Sequence, residues 1–132
     1  MTTTPEQSRR LLDLGLDPKT SDAHWELQSD SYVLIPRGLD SYQNEPTAIP
    51  AWSLNALMRL MPEIKTEHGI MQPYLVGGCG RRFRFLCFYK ITYNTQNYGE
   101  PIDAAYEMVV WLLENGYIND TVSTDRFNIT EL

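Results

Sequence analysis

The chain has 132 residues, with 17 Asp and Glu against 11 Lys and Arg, which gives a formal net charge of −6. This length suits one compact domain that buries enough apolar surface to fold without disulfides. The acidic balance disfavours general binding to nucleic-acid phosphates or to an anionic membrane surface. The sequence has no signal-peptide run and no stretch of about 18 apolar residues, so we expect a cytoplasmic protein with no membrane segment.

The first predicted helix covers residues 4–14. Thr4 is a suitable N-cap, Pro5 fits the first helical position, and Gln7 lies where a capping box requires it. Gly15 then permits the left-handed conformation at which many helices end. Both ends of this helix are therefore specified by local sequence.

The next segment contains two short apolar patches, around Trp25–Leu27 and within SYVLIP at residues 31–36. The second patch is rich in β-branched and aromatic residues and ends at Pro36, so it predicts a short strand. Residues 37–50 contain many turn formers and little periodicity, and they predict a loop.

The stretch IPAWSLNALMRLMPE, from Ile49 to Glu63, could be a docking motif or a short core helix. Its apolar residues recur with the spacing of one helical face: Leu54, Leu57, Met58 and Met61. Ser53 is a natural N-cap, Trp52 can staple onto Leu57, and Pro62 ends the run. Local chemistry explains every prominent residue, so we predict a helix over 53–61.

Residues 72–93 predict a β-hairpin, with strands at Tyr74–Val76 and Arg82–Tyr93 and a turn at GGCG, 77–80. Strict alternation divides the second strand between two faces. The predicted core face carries Phe83, Phe85, Cys87, Tyr89 and Ile91. The opposite face carries Arg82, Arg84, Leu86, Phe88 and Lys90.

The segment between Pro101 and Gly116 predicts the last helix. Its polar residues form a narrow stripe of Asp103, Glu107 and Glu114. A helix with so broad an apolar surface is expected to be covered on more than one side. Either it lies between the sheet and another element, or a second subunit covers it. Asp103 and Glu107 are one turn apart and could perform acid–base chemistry in a cleft, although a solvated stripe is the favoured interpretation.

Metal ligands and nucleophiles are sparse. Four residues, His24, His68, Cys79 and Cys87, are isolated from one another, so we expect no metal and no cofactor. Cys79 is the candidate nucleophile, because two arginines follow it and cations lower the pKa of a thiol. No histidine is placed beside it by the sequence, and we interpret Cys79 as a turn residue.

The basic strip is the most suggestive feature. Arg82, Arg84, Phe88 and Lys90 share the outer face of the predicted second strand and are the candidate binding residues. Cations with an aromatic ring are typical of surfaces that bind single-stranded nucleic acid. The competing interpretation is a cationic face that pairs with the acids of an acidic protein, and it is favoured by the net charge.

Three segments, in the order RLLDLGLDPKTSD, PAWSLNALMRLMP and PIDAAYEMVVWLLENG, resemble a family of small uncharacterised proteins. The family is common in gut bacteria of the Bacteroides group and in their phages and mobile elements. The resemblance covers residues 6–118. It implies a bacterial or phage-derived intracellular protein of one α+β domain, and it transfers no catalytic residues.

We therefore predict one α+β domain over residues 1–118, followed by a frayed tail at 119–132. An antiparallel sheet around the central hairpin packs against about three helices, as expected for this class. The favoured function is a non-catalytic interaction or accessory protein of a bacterial or mobile-element system, which forms a homo-oligomer or binds another protein. The alternatives are a nucleic-acid-associated factor using the basic strip, and a small enzyme or ligand binder.

Overall fold

The computed structural model describes residues 1–36, 48–78, 85–89, 93–96 and 98–118. Within these residues the chain forms three α-helices and three small antiparallel sheets. This architecture confirms the predicted α+β class. The predicted tail at 119–132 lies outside the described residues.

Helix α1 covers Pro5–Asp13, as its capping signals predict. The Thr4 hydroxyl accepts a hydrogen bond from the Gln7 backbone N–H at 3.1 Å, and the Gln7 side-chain oxygen accepts one from the Thr4 N–H at 2.9 Å. The two bonds satisfy amide donors that the first turn of a helix leaves open. Gly15 follows with φ 95°, in the left-handed region, and a short 3-10 turn covers Pro18–Thr20.

The first sheet has the strand order β2-β1-β3, with β1 at Ala23–Gln28, β2 at Ser31–Pro36 and β3 at Ile49–Ala51. Strand β2 is the strand that the sequence predicts. The prediction of a loop over 37–50 is wrong at its end, because Ile49 and Pro50 pair with β1. Proline is tolerated there because β3 is an outer strand. Residues 37–47 lie outside the described residues.

A clasp at Thr3 ties the N-terminus to the start of the second helix. Thr3 is fully buried, its N–H donates to the Trp52 carbonyl at 2.9 Å, and its hydroxyl accepts from the Trp52 N–H at 3.1 Å. The Thr3 carbonyl also accepts from the Trp25 indole N–H at 2.8 Å. The clasp therefore joins α1, the first sheet and the entry to the next helix.

Helix α2 covers Leu54–Leu60, with Ser53 as its N-cap. The Ser53 hydroxyl accepts from the Ala56 N–H at 3.1 Å and donates to the Asp22 carboxylate, which also accepts from the Ser53 N–H at 2.8 Å. Leu57 and Leu60 are buried, and Trp52 is fully buried beside the cap. The core-helix prediction is confirmed, although the helix ends one residue earlier than predicted.

A small second sheet follows, formed by β4 at Ile64–Thr66 and β5 at Gly69–Met71. Neither strand is predicted from the sequence. Gly69 has φ 118°, a conformation that non-glycine residues rarely adopt, so it fits the tight connection between the two strands.

The third sheet has the order β6-β7-β8, with strands at Pro73–Gly77, Phe85–Tyr89 and Tyr93–Asn94. The pairing of β6 with β7 confirms the predicted hairpin, and Cys87 and Tyr89 are fully buried as predicted. The single strand predicted over 82–93 is wrong, because Tyr93 pairs back onto Tyr89. Apolar residues recur at every second position from Phe85 to Tyr93. The sequence pattern therefore gives no sign that the chain reverses direction. Residues 79–84 and 90–92 lie outside the described residues.

Helix α3 covers Pro101–Glu114, and Gly116 follows with φ 76°. It contacts β6 and β7 of the third sheet and also contacts α2. Six of its residues are buried: Ile102, Ala104, Ala105, Met108, Val109 and Leu112. The broad apolar surface is therefore covered by elements of the same chain, which is the first of the two predicted alternatives.

Candidate functional site

Of the four residues of the basic strip, the structure describes Phe88. Phe88 is partly buried, and its ring stacks on that of Tyr74 with 5.4 Å between centroids. Arg82, Arg84 and Lys90 lie outside the described residues. The nucleic-acid hypothesis for this face stays a prediction.

Two of the residues considered as metal ligands or nucleophiles, Cys87 and His24, lie in the protein interior. Cys87 is fully buried, and burial raises the pKa of its thiol to about 12. A thiol held neutral in this way is a poor nucleophile. His24 is also buried, with its Nε2 3.3 Å from the Glu26 carboxylate. The candidate nucleophile Cys79 lies outside the described residues, and the described part of the chain contains no cluster of three metal-ligating side chains.

The Asp103 and Glu107 pair lies in a cleft of about 330 Å³ between α1 and α3. Gln7 and Arg10 line it from α1, and Tyr98 lines it from the segment before α3. The remaining lining residues are on α3: Asp103, Tyr106, Glu107 and Val110. The i, i+4 spacing of the two acids thus brings both carboxylates into one concave site.

Glu107 is the centre of a hydrogen-bond network. Its carboxylate accepts from the Tyr93 hydroxyl at 3.0 Å, from the Gln96 backbone N–H at 3.2 Å and from the Tyr98 hydroxyl. The hydrogen bond to Glu107, followed by desolvation, raises the pKa of Tyr98 to about 12. Desolvation, followed by the same carboxylate, raises the pKa of Tyr93 to about 12. Glu107 therefore holds the segment before α3 against the helix.

Aromatic rings strengthen this attachment. The Tyr93 ring stacks on Trp111 with 4.7 Å between centroids and 0° between planes, and Trp111 stacks on Tyr117 at 5.4 Å. Trp111 is one turn beyond Glu107 on α3. The helix thus holds Tyr93 at both its hydroxyl and its ring.

The other acid that lines the cleft, Asp103, and the cation that lines it, Arg10, have separate partners. Asp103 accepts from the Gln7 side-chain amide at 3.0 Å. Arg10 forms an ion pair with Glu114 at 3.0 Å, and both side chains are about half exposed. Sequence spacing identified the acidic stripe but could not identify its partners, because these come from α1 and from the segment before α3.

The β1–β2 hairpin forms a second candidate surface. Cross-strand partners point to one face of a sheet, and Leu27 pairs with Tyr32 while Trp25 pairs with Leu34. Three large apolar side chains on this face are substantially exposed, Leu27 at 45%, Tyr32 at 36% and Leu34 at 37%, whereas Val33, at 38%, is exposed on the opposite face. Arg9 of α1 donates to the Tyr32 hydroxyl at 2.9 Å, and its guanidinium lies 5.9 Å from the ring centroid.

Comparisons of the chain with protein-family models, with curated proteins and with solved structures found no match. Within the described residues, every helix is too short or too polar to cross a bilayer. The cleft and the hairpin are therefore the two surfaces on which a function can be proposed.

Proposed function

We propose that this protein is a non-catalytic interaction module that associates with a second copy of itself through the β1–β2 hairpin. The observation that carries the proposal is the group of exposed apolar side chains on one face of the hairpin, formed by Leu27, Tyr32 and Leu34. Isolated exposed apolar residues are ordinary, whereas a contiguous group is typical of a binding surface.

The position of β2 supports pairing between copies. Among the described residues, β2 has β1 as a neighbour on one side and no strand on the other. An outer strand presents open backbone donors and acceptors, and a second strand can pair with them. Two copies of β2 in antiparallel alignment would join the two sheets edge to edge, and two-fold symmetry would place the Leu34 side chains of both copies on the same face of the joined sheet.

Outside the hairpin, side chains of types that can take part in catalysis have structural contacts instead. This supports a non-catalytic function. Ser53 caps α2 and bonds Asp22. Cys87 is buried in the core. Glu107 holds two tyrosine hydroxyls against α3. We extend the proposal to an accessory role in a bacterial or mobile-element system, for which the family resemblance is the support.

The test is the oligomeric state of the purified chain and of two matched variants. Leu34→Glu places a charge on the hairpin face, whereas Ile70→Glu places the same charge at an apolar residue on β5 that is 58% exposed. We expect concentration-dependent dimers in sedimentation for the wild-type chain and for Ile70→Glu, and monomers for Leu34→Glu. Circular dichroism checks that both variants fold.

A wild-type chain that stays monomeric at high concentration would overturn the proposal of self-association. Equal loss of the dimer in both variants would also contradict it, because the effect would then follow from added charge and not from the hairpin.

A further inference from the structure

The C-terminus of α3 carries the dipeptide Asn115–Gly116, and Asn115 is the one asparagine of the sequence that glycine follows directly. Both residues are exposed. In such a dipeptide the glycine backbone nitrogen can attack the amide carbon of the asparagine side chain, because glycine has no side chain to hinder the approach. A Cβ placed on Gly116 would meet no atom of the described residues within 4 Å, its chain neighbours aside. The dipeptide is therefore open to a reaction within the chain.

The folded end of α3 engages both reacting groups in hydrogen bonds. The Asn115 side-chain N–H donates to the Trp111 carbonyl at 2.8 Å. The Gly116 N–H donates to the Leu113 carbonyl at 3.2 Å. The attack requires the Gly116 nitrogen to turn towards the Asn115 side chain, so the end of the helix must open before the reaction. Helix ends open locally at a lower free energy than the whole protein.

Tyr117 opposes this opening. Its N–H donates to the Leu112 carbonyl at 2.9 Å, and with the bond from Gly116 it forms the Schellman motif that ends many helices. Its ring stacks on Trp111 at 5.4 Å between centroids, and Trp111 stacks on Tyr93 at 4.7 Å. The last turn of α3 is thus closed by two backbone bonds and by a stack of three rings.

We propose that Asn115–Gly116 is a site of spontaneous deamidation, whose rate is set by how often the C-terminus of α3 opens. The Gly116 nitrogen forms a bond to Cγ of Asn115, and the side-chain nitrogen leaves as ammonia with the proton that the Gly116 nitrogen gives up. Water then opens the ring at either of its carbonyl carbons. One product is aspartate, and the other is isoaspartate, in which the backbone runs through the former side chain. The net reaction consumes water and needs no oxidant or reductant.

Either product weakens the end of α3. Aspartate replaces the donor to the Trp111 carbonyl by an acceptor, and it places a negative charge beside Glu114 at the negative end of the helix dipole. Isoaspartate also lengthens the backbone by one methylene, which moves Tyr117 away from its partners. The modification therefore loosens the ring stack. These residues are not part of the hairpin face, so the site is independent of the proposed self-association.

The test is incubation of the full-length chain at pH 8, in buffer and in urea, followed by peptide mass spectrometry that separates aspartate from isoaspartate. Asn55 and Asn94 are internal controls, because both are exposed and are followed by Ala56 and Thr95. Since glycine removes a steric barrier, we expect folded Asn115 to react at least about tenfold faster than either control. We expect it to react faster still in urea, and to give both products.

Variants test the control by helix opening. Tyr117→Ala removes one ring of the stack, and we expect Asn115 to react about fivefold faster in the folded variant. Ile70→Ala, at an exposed apolar residue on β5, should leave the rate unchanged. Asn115→Gln keeps an amide but would have to close a larger ring, so it should stay unmodified. Circular dichroism checks that each variant folds.

Hydrogen exchange measures the consequence for the helix end. After incubation, we expect the Gly116 and Tyr117 amides of the modified wild-type chain to exchange about fivefold faster than before. The same amides of Asn115→Gln, incubated in parallel, should exchange at an unchanged rate.

Each part of the inference has a result that overturns it. Reaction of folded Asn115 no faster than that of Asn55 or Asn94 would remove the site. Aspartate without isoaspartate would exclude the ring. Equal rates in buffer and in urea, or an unchanged rate in folded Tyr117→Ala, would contradict control by helix opening. Unchanged hydrogen exchange after deamidation would show that the helix end is not loosened.

Discussion

The β1–β2 hairpin and helix α3 are both rich in apolar residues, yet those of α3 are mostly buried and those of β2 are mostly exposed. In α3, the apolar residues are packed against the third sheet and against α2, and six of them are buried. In β2, with the sequence SYVLIP, five of the six residues are exposed. Composition therefore does not distinguish a core element from a surface element. What distinguishes them is whether a second layer of the same chain lies against the apolar face.

The comparison is tested most strongly by a matched pair of leucine substitutions. Leu112 in α3 is fully buried, and Leu34 in β2 is more than one-third exposed. We expect Leu112→Ala to lower the free energy of unfolding by about 3 kcal/mol through lost burial and a cavity. We expect Leu34→Ala to lower it by less than about 1 kcal/mol. Urea unfolding of both variants measures the difference, and equal losses would contradict the contrast between the two regions.

The network around Glu107 should give the next largest effect. Glu107→Ala leaves two tyrosine hydroxyls and one backbone N–H without their acceptor, and we expect a loss of about 2–3 kcal/mol. Glu107→Gln keeps an acceptor oxygen and should lose less.

Glu114→Ala is the matched control on the same helix, because it removes a carboxylate whose partner is half exposed. Its cost should be below about 0.5 kcal/mol, as for other surface ion pairs. Thermal unfolding ranks the three variants, and a Glu114→Ala effect as large as that of Glu107→Ala would argue against the network.

The tyrosines of this network should make the protein sensitive to high pH. Above pH 10 the unfolded chain releases the Tyr98 proton, whose ordinary pKa is 10.0, while the folded chain keeps it until about pH 12. The folded state then binds more protons than the unfolded state, so the free energy of unfolding falls as pH rises across this interval. Tyr98→Phe should make that fall shallower, as measured by urea unfolding at several pH values, each relative to its own value at pH 7. An unchanged slope in Tyr98→Phe would show that Tyr98 does not titrate in this way.

Thiol labelling gives the smallest and most local test of the buried core. Cys87 is fully buried, and burial raises the pKa of its thiol to about 12. We expect iodoacetamide to modify Cys87 slowly in the folded chain at pH 8 and rapidly in urea, since the thiolate is the reactive form. Peptide mass spectrometry identifies the modified residue, and rapid labelling of Cys87 without denaturant would contradict its burial.

Helix ends were the best-predicted features, because their signals are local. The capping box of Thr4 and Gln7 and the caps at Ser53 and Gly116 all lie within four residues of what they specify. Local hydrogen bonds of this kind depend little on the rest of the chain.

The strands were predicted less well, because pairing depends on distant residues. Strand β1 turns into β2 at Ser29 and Asp30 without the glycine that often indicates a tight hairpin, and Ser29 adopts φ 55°. The chain reversal between Tyr89 and Tyr93 lies within continuous alternation, where the period gives no sign of it.

The candidate cleft was half predicted. The spacing of Asp103 and Glu107 indicated that the two carboxylates share a face of α3. Their partners could not be predicted, because Gln7 is 96 residues from Asp103 in the sequence. The exposed state of the hairpin was also missed, since SYVLIP by itself is equally consistent with a core strand.

The clasp between Thr3 and Trp52 has a consequence for how the molecule opens. The two residues are 49 positions apart, so their contact closes a long loop that contains α1 and the β1–β2 hairpin. Bringing Thr3 and Trp52 into contact costs chain entropy. Contacts that form afterwards within the closed loop cost less entropy, because the loop ends are already together. The stability of the hairpin is therefore coupled to a buried threonine near the N-terminus. Hydrogen exchange should show the amides of Thr3 and of the β1–β2 pair opening together as one cooperative unit.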